Sequence, residues 1–504
     1  MTPAPTTLLG LISSIPDDQT AIIQPEQNIR IAYGSLKRQV QDVADMLAAA
    51  GVSRGDRVGM ALPNGLANVV AFLAASMAGT AAPLNPGYKE DEFLFYLEDT
   101  NARVLLLPPD GIDEARKAAA TRKVPILTVD MDDKGTVTLS GGAGRKPAAA
   151  PAPTDPALIL HTSGSTGRPK RVPLSHANLS ISAGNVARSY ALSKADVSLC
   201  VMPLFHVHGL VASTLAPLST GGTVVVPQKF SPLSFWRTAK DYNATWYSAV
   251  PTIHQLLLAR ADKGGARPAG AEKLRFIRSC SASLPPQVMH DLEAAFGAPV
   301  LEAYGMTEAA HQMASNPLPP ANRLPGSVGR GTDVRISIMD PAGKQLAAGE
   351  RGEVVIHGPN VVTGYENNPE ANATSFTDGW FRTGDQGFLD ENGYLTLTGR
   401  LKEMINRGGE KISPREVDEI MMAHPAVHQW VTFGMPHAML GEEVAAAVVL
   451  KQGAQASDTE LRDFAKVKLA DFKVPKKILI LQEIPVGATG KLQRIGLAQK
   501  LGLG

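Results

Sequence analysis

Apolar residues Leu36, Val40, Val43 and Leu47 recur at spacings of four, three and four, the period of a helix with one buried face. Ser35 stands where an N-cap belongs. Arg57-Val58-Gly59-Met60-Ala61-Leu62 then reads as a strand, ended by Pro63-Asn64-Gly65. A helix over 69–77 follows, 81–86 leads back toward strand, and 92–97 is helical. Val104-Leu105-Leu106-Leu107 has the continuous apolar character of a buried strand. Strands and helices alternating in this way predict an α/β fold around a largely parallel sheet. Residues 131–155, rich in Gly, Ala, Pro and Asp, predict a loop or short hairpin before the next buried strand, Ala157-Leu158-Ile159-Leu160.

The alternation continues, with strands expected at 197–202, 223–226, 245–248, 275–279 and 300–303 and helices at 231–242 and 253–261. Past Gly326 the pattern changes to short β segments between glycine turns, at 335–339, 352–357 and 394–398, which is the habit of antiparallel sheet. A boundary fits near Gly399-Arg400-Leu401-Lys402. Beyond it come a strand at 403–405, a helix at 414–422, strands at 429–433 and 444–450 and a helix at 459–469. The expectation is a large N-terminal domain, 1–399, of mixed and parallel sheets with helices plus a β-rich subdomain. A link at 400–402 would join it to a small α+β domain, 403–504, of about 100 residues.

Composition removes several classes of function. A formal net charge of +1 supplies no overall field for nucleic acid or an acidic membrane. Two cysteines, Cys200 and Cys280, cannot build a disulfide framework or a cysteine zinc site. The apolar region 69–84 is interrupted by Ser76, Gly79, Thr80 and Pro83, so it reads as a core helix running into a loop. Met1-Thr2-Pro3-Ala4-Pro5 lacks the layout of a secretory signal, and Gly502-Leu503-Gly504 is not a peroxisomal address. The expectation is a cytoplasmic protein, monomer or homodimer, acting on small molecules, with no nucleic acid and no membrane.

Chemistry concentrates after the strand at 157–160, in His161-Thr162-Ser163-Gly164-Ser165-Thr166-Gly167-Arg168-Pro169-Lys170. Glycines let the backbone fold tightly with its N–H groups inward, hydroxyls add donors, and the lysine adds charge, a combination suited to a polyphosphate. The spacing is not the Walker pattern, because Pro169 separates the second glycine from Lys170 and no Ser or Thr follows. A bland Ser/Gly linker is the alternative, but linkers seldom follow a buried strand so directly. Four further stretches stand out: Tyr304-Gly305-Met306-Thr307-Glu308, Phe381-Arg382-Thr383-Gly384-Asp385, Arg407-Gly408-Gly409-Glu410-Lys411-Ile412-Ser413-Pro414 and Thr489-Gly490-Lys491-Leu492-Gln493-Arg494. Taken singly, each has a plain reading as a turn, a cap or a solvated charge.

Together, and in this order over nearly the whole chain, the five stretches resemble the adenylate-forming enzymes: acyl-CoA synthetases, peptide-synthetase adenylation domains and luciferases. The resemblance implies ATP, Mg2+ and coenzyme A as cofactors, and a small C-terminal domain that is mobile about Lys402. It implies an ATP and AMP site made by Thr162, Ser163, Gly164, Ser165, Thr166, Gly167 and Lys170 with Ser283, Glu302, Ala303, Tyr304 and Thr307. Asp385 and Arg400 would hold the ribose. Glu308 would be the metal contact, since magnesium favours hard carboxylate oxygens. Lys491, Glu308, Thr307 and His206 would be the catalytic set. Lys491 would offset the repulsion between a carboxylate and the α-phosphate. Gly408, Gly409 and Glu410 would form the thiol tunnel, where adjacent glycines allow close approach of a narrow substrate. Pro485-Val486-Gly487-Ala488 departs from the family's Pro-Lys-Thr lead to the lysine motif.

The acid pocket, by the same analogy, is lined by 202–210, 278–283 and 307–313. A fatty-acyl site would be apolar there, yet these stretches offer His206, His208, Arg278, Ser281 and His311. Donors converging on a small space suit a second carboxylate on the substrate. The run 302–313, with 203–210, 277–281 and 405–411, resembles the oxalate–CoA ligase branch, in which the positions matching His206, Ser281 and His311 hold oxalate. This implies an ATP-dependent ligase converting a small dicarboxylic acid, oxalate first, to its CoA thioester through an acyl-adenylate, with release of AMP and pyrophosphate. Malonate or a short- or medium-chain acid is the alternative within the class, and an adenylating enzyme that does not use CoA the alternative outside it. The roles of His208 and Arg278 stay open.

Overall fold

Nine strands form the larger sheet: in order across it, Arg330–Gly331, His311–Ser315, Val300–Met306, Phe276–Ser279, Trp246–Ala249, Val197–Leu199, Thr223–Val225, Thr20–Gln24 and Ile29–Ala32. The six strands from Val300–Met306 to Thr20–Gln24 pair in parallel, and the pairings outside them are antiparallel. Every residue of Trp246–Ala249 and Phe276–Ser279 is buried, as parallel strands covered on both faces require. This is the structure of a computed structural model, which describes residues 6–141, 144–162, 169–261, 266–485 and 492–504.

A second sheet has seven strands in the order Val137–Ser140, Ile126–Met131, Ala102–Leu107, Arg57–Met60, Thr80–Pro83, Pro156–Thr162 and Lys170–Ser175. The helix Leu66–Ala78 packs against strands of both sheets, and Ala67 is its one residue that is not buried. A helix enclosed in this way is apolar all round, which accounts for the run at 69–84. No described helix is long and apolar enough to cross a membrane. Of residues 131–155, expected as a loop or short hairpin, Val137–Ser140 forms a strand that pairs back on the preceding strand Ile126–Met131.

The structure moves some boundaries. The first long helix is Tyr33–Ala49, so it starts three residues earlier than an N-cap at Ser35 would place it. Burial of Tyr33, whose hydroxyl donates to the carbonyls of Leu218 and Gly222, draws that turn into the helix, and Ser35 instead accepts from Gln39 inside it. The strand expected at 197–202 ends at Leu199, and a π-helix, His208–Leu215, follows a loop.

Contacts divide the chain into two compact units, residues 1–336 with 356–381 and residues 337–355 with 382–504. The division thus groups part of the β-rich segment with the C-terminal residues. In the second unit, Glu410–Ile412, Ile405–Arg407, Gly441–Leu450 and Val427–His437 form a sheet in that order, with Lys477–Ile480 parallel to Gly441–Leu450. Helices Pro414–Met421 and Asp458–Lys468 supply Val417, Met421, Leu461 and Ala465 to the core it shares with Trp430 and Val448. The strand expected at 403–405 lies at 405–407, because the Gly408-Gly409 turn pairs Arg407 with Glu410.

Candidate active site

The serine- and glycine-rich loop is closed at its base. Thr162 and Lys170 are direct cross-strand partners, and so are His161 and Arg171. Charged groups clamp this base. His161 Nε2 lies 2.9 Å from Asp99, while Arg171 faces both Asp99 (3.5 Å) and Glu366 (3.4 Å), and Glu366 also pairs with Arg57. Burial holds the His161 pKa below its ordinary value despite the Asp99 carboxylate. Ser163, Gly164, Ser165, Thr166 and Gly167 lie outside the described residues.

Glu308 sits at the far end of a hairpin. The strand Val300–Met306 leads into a 3-10 turn, Thr307–Ala309, and His311–Ser315 returns antiparallel to it. The return is tight: Ala310 and His311 have φ of 51° and 117°. A Cβ on Gly305 would stand 2.2 Å from the His311 carbonyl oxygen, so only glycine lets the two strands approach this closely. Glu308 is 5% exposed. Its Oε1 accepts from the Tyr365 hydroxyl at 2.8 Å and from Thr162 Oγ1 at 3.3 Å. Burial first, then the Glu308 charge, raises the Tyr365 pKa well above the usual phenol value, so this donor keeps its proton. Lys170 Nζ lies 4.3 Å from the centre of the Tyr365 ring. The geometry therefore brings together Thr162, Lys170 and Glu308, and adds Tyr365, for which no motif in the sequence gave a signal.

This arrangement fits magnesium. The ion prefers one or two carboxylates, phosphate oxygens and water to an all-protein cage. Glu308 is such a carboxylate, oriented by two hydroxyls, and the described residues contain no cluster of three or more His, Cys, Asp or Glu able to hold a metal. Next along the hairpin, Glu302 Oε1 accepts from the Leu284 backbone at 3.0 Å and so ties the Ser283 loop to the strand bearing Ala303 and Tyr304.

The acid-pocket candidates form a buried polar cluster around Arg278, which is 0% exposed. Its Nε donates to the Tyr190 hydroxyl (2.8 Å). One terminal nitrogen reaches Ser248 Oγ (2.9 Å) and His208 Nε2 (3.4 Å), and the other His311 Nε2 (3.1 Å) and Gln312 Oε1 (3.0 Å). His208 Nε2 is 2.6 Å from Ser248 Oγ, and its Nδ1 is 3.0 Å from Ser281 Oγ. The His208 and His311 rings stack with centroids 5.2 Å apart. Burial raises the Tyr190 pKa, so its hydroxyl remains protonated, close to Gln312 Oε1 (3.0 Å) and Ser315 Oγ (2.8 Å). Of the expected acid-binding residues, Ser281 and His311 are thus joined through His208 and Arg278. His206 lies just before the π-helix, with its ring 4.7 Å from that of Phe205. Arg278, whose role the sequence left open, is the centre of this cluster; Tyr190 and Ser248, which complete it, carry no motif in the sequence.

In the second unit, Asp385 and Arg400 are cross-strand partners joined by an ion pair of 3.0 Å. Lys402 is exposed in the turn that follows. Gly408 and Gly409 make a two-residue hairpin turn with φ of 58° and 98°, a conformation that other residues adopt only with strain. Lys491 lies outside the described residues. Three residues on, Arg494 bonds to Glu403 at 2.9 Å and to Asp418, anchoring the chain that carries the lysine motif.

A hairpin bearing Thr162 and Lys170 beside a buried carboxylate, and a buried polar cluster around Arg278, suit an enzyme that binds a polyphosphate and a small acid. The model of the AMP-binding enzymes matches residues 14–366, and that of the AMP-binding enzyme C-terminal domain matches 416–491. The chain belongs to the AMP-binding enzyme family. It is 46% identical to a probable CoA ligase, CCL9, of Humulus lupulus, covering 97% of this chain and 95% of that one. It is 45% identical to an oxalate–CoA ligase of Arabidopsis thaliana, covering 98% of each. Among solved structures, ATP-bound MatB from Rhodopseudomonas palustris matches with a TM-score of 0.89 and 31% identity over 98% of both chains. Within the family this chain is an ATP-dependent, AMP-forming acid–CoA ligase that uses ATP, magnesium and CoA.

Proposed function

We propose that the acid is oxalate and the product oxalyl-CoA. The observation that carries this reading is the buried cluster of Arg278, His208, Ser281 and His311, which puts hydrogen-bond donors and a positive charge where a fatty-acyl chain would need apolar walls. A dicarboxylate offers one carboxylate for chemistry and a second for these donors. Similarity to a relative named oxalate–CoA ligase supports the same acid.

In the first step an oxalate oxygen attacks the α-phosphorus of ATP in line and pyrophosphate leaves. Lys170 and the loop hydroxyls hold the leaving group, and Glu308 would hold a magnesium ion, which when bound would neutralise phosphate charge. Lys491 offsets the charge that builds between the two anions. In the second step the CoA sulfur attacks the oxalyl carbonyl, a C–S bond forms as the C–O bond to AMP breaks, AMP leaves with that oxygen, and the thiol proton passes to solvent. Asp385 and Arg400 serve the ribose, and the Gly408-Gly409-Glu410 turn serves the thiol.

His311→Ala tests the acid assignment. A hydrogen bond to a charged group contributes roughly 1.5–3 kcal/mol, so oxalate kcat/KM should fall by about 10- to 150-fold. Acetate has no second carboxylate and should lose far less. Equal losses for both acids would place His311 in the fold or the nucleotide site instead.

A further inference from the structure

Tyr365 reaches Glu308 from a loop, 362–366, that is tied at both ends. At one end the Val362 N–H donates to the Glu308 carbonyl at 2.8 Å; at the other the Glu366 N–H donates to the Arg171 carbonyl at 3.0 Å. The Glu366 side chain repeats that second attachment. Its Oε2 faces Arg171 Nε at 3.4 Å and its Oε1 pairs with Arg57, so each oxygen has its own guanidinium. Arg171 is shared with Asp99, whose backbone carbonyl also accepts from it. Two carboxylates thus balance two guanidiniums, and burial favours the neutral form of His161 beside Asp99. These five side chains are 8–29% exposed, so water and salt screen the network only in part. Attraction within such a network is largely offset by desolvation of its members, which makes it better suited to fixing geometry than to adding stability. The geometry in question is that of the nucleotide candidates. Lys170 Nζ lies 4.3 Å from the centre of the Tyr365 ring, and Thr162, across from Lys170, delivers its hydroxyl to the same Glu308 oxygen as the phenol. Asn372 holds the Tyr365 backbone, accepting from its N–H at 2.7 Å and donating to its carbonyl at 2.9 Å. The loop should therefore keep its own shape when Glu366 changes, and what Glu366 controls is where that loop sits on the strand Lys170–Ser175.

We propose that Glu366 is a positioning residue for the adenylating step: pinned between Arg57 and Arg171, it seats the loop bearing Tyr365 on the strand bearing Lys170, so that the phenol meets Glu308 opposite Thr162. The consequence for catalysis rests on the reading of Glu308 as the magnesium carboxylate, but the seating of Tyr365 does not depend on it. Glu366 touches neither Glu308 nor Lys170 through its side chain, so its effect must pass through its neighbour in the chain, Tyr365.

The test is a double-mutant cycle on the intact protein, read without turnover. Protein labelled with 3-fluorotyrosine carries nine tyrosine signals, and Tyr365→Phe identifies one of them. Glu366→Gln should shift that signal in the ligand-free protein. Calorimetry of ATP binding across a magnesium titration, with acid and CoA absent, then gives the apparent magnesium affinity. Tyr365→Phe should weaken it by about 10- to 100-fold, the range for groups that orient a metal ligand, and Glu366→Gln by about 10-fold. In the Tyr365→Phe background Glu366→Gln should add less than about twofold, because the phenol through which it acts is already gone. Arg57→Gln leaves Glu366 bonded to Arg171 and should move the same signal less, giving a milder variant if Glu366→Gln folds poorly. An unmoved Tyr365 signal in Glu366→Gln, or equal losses of magnesium affinity from Glu366→Gln in the two backgrounds, would overturn the proposal. If Glu366→Gln moves the signal but neither variant changes the magnesium dependence, the assignment of Glu308 to magnesium fails while the seating of Tyr365 by Glu366 stands.

Discussion

Tyr365→Phe removes one oxygen and little else. The ring that lies 6.3 Å from Phe381 and near Lys170 Nζ remains, so packing and the position of the lysine charge should persist. What is lost is the 2.8 Å hydrogen bond to Glu308 Oε1, a carboxylate only 5% exposed and thus poorly served by water. A hydrogen bond to a charged group contributes roughly 1.5–3 kcal/mol, which corresponds to about 10- to 150-fold if it is fully expressed in the transition state. Loss of groups that orient metal ligands typically costs about 10- to 100-fold, in the same range. The assay is ATP–pyrophosphate exchange across a magnesium titration. The variant should need more magnesium and show a lower kcat/KM for MgATP, with the KM for CoA in the full reaction unchanged. Wild-type exchange in Tyr365→Phe would refute the idea that Glu308 depends on this phenol, and with it the metal role argued from that geometry.

Three further outcomes follow from other parts of the chain. Lys491→Ala should slow adenylate formation by about 10²–10³-fold yet spare thioester formation from supplied oxalyl-adenylate; equal losses in both half-reactions would contradict its assignment to the first step. Gly409→Leu should block thioester formation while leaving exchange intact, with circular dichroism confirming the fold because φ is 98° there; loss of exchange would remove the turn from the thiol path. Burial pushes the pKa of His254 down to about 4 from 6.5, so between those values the unfolded chain binds a proton that the folded chain does not. Stability should therefore fall as the pH drops below 6.5, by about 1.4 kcal/mol per pH unit, and denaturant unfolding of His254→Gln at pH 7 and 5.5 should show that slope reduced.

The features that sequence revealed well are those encoded locally. The apolar period predicted the alternating sheets, and two of the stretches read as chemical, those ending at Lys170 and at Glu308, stand side by side at Thr162 and Glu308. Features set by tertiary packing were not legible. Burial of Tyr33 moved a helix start that Ser35 suggested, and the π-helix at His208–Leu215 has no propensity signature. Tyr365 is 57 residues from Glu308 in the chain, and Ser248 is 30 from Arg278, so only folding juxtaposes them. His208, left open from sequence, joins Ser281 because the π-helix begins at that residue.

A substrate panel on the wild-type protein decides the choice of acid. Purified enzyme with ATP, magnesium and CoA is given oxalate, malonate, acetate and medium-chain acids in turn, and the acyl-CoA product and AMP are measured together. Oxalate should have the highest kcat/KM, with oxalyl-CoA and AMP formed in equal amounts. A higher kcat/KM for malonate or a monocarboxylic acid would contradict the oxalate assignment.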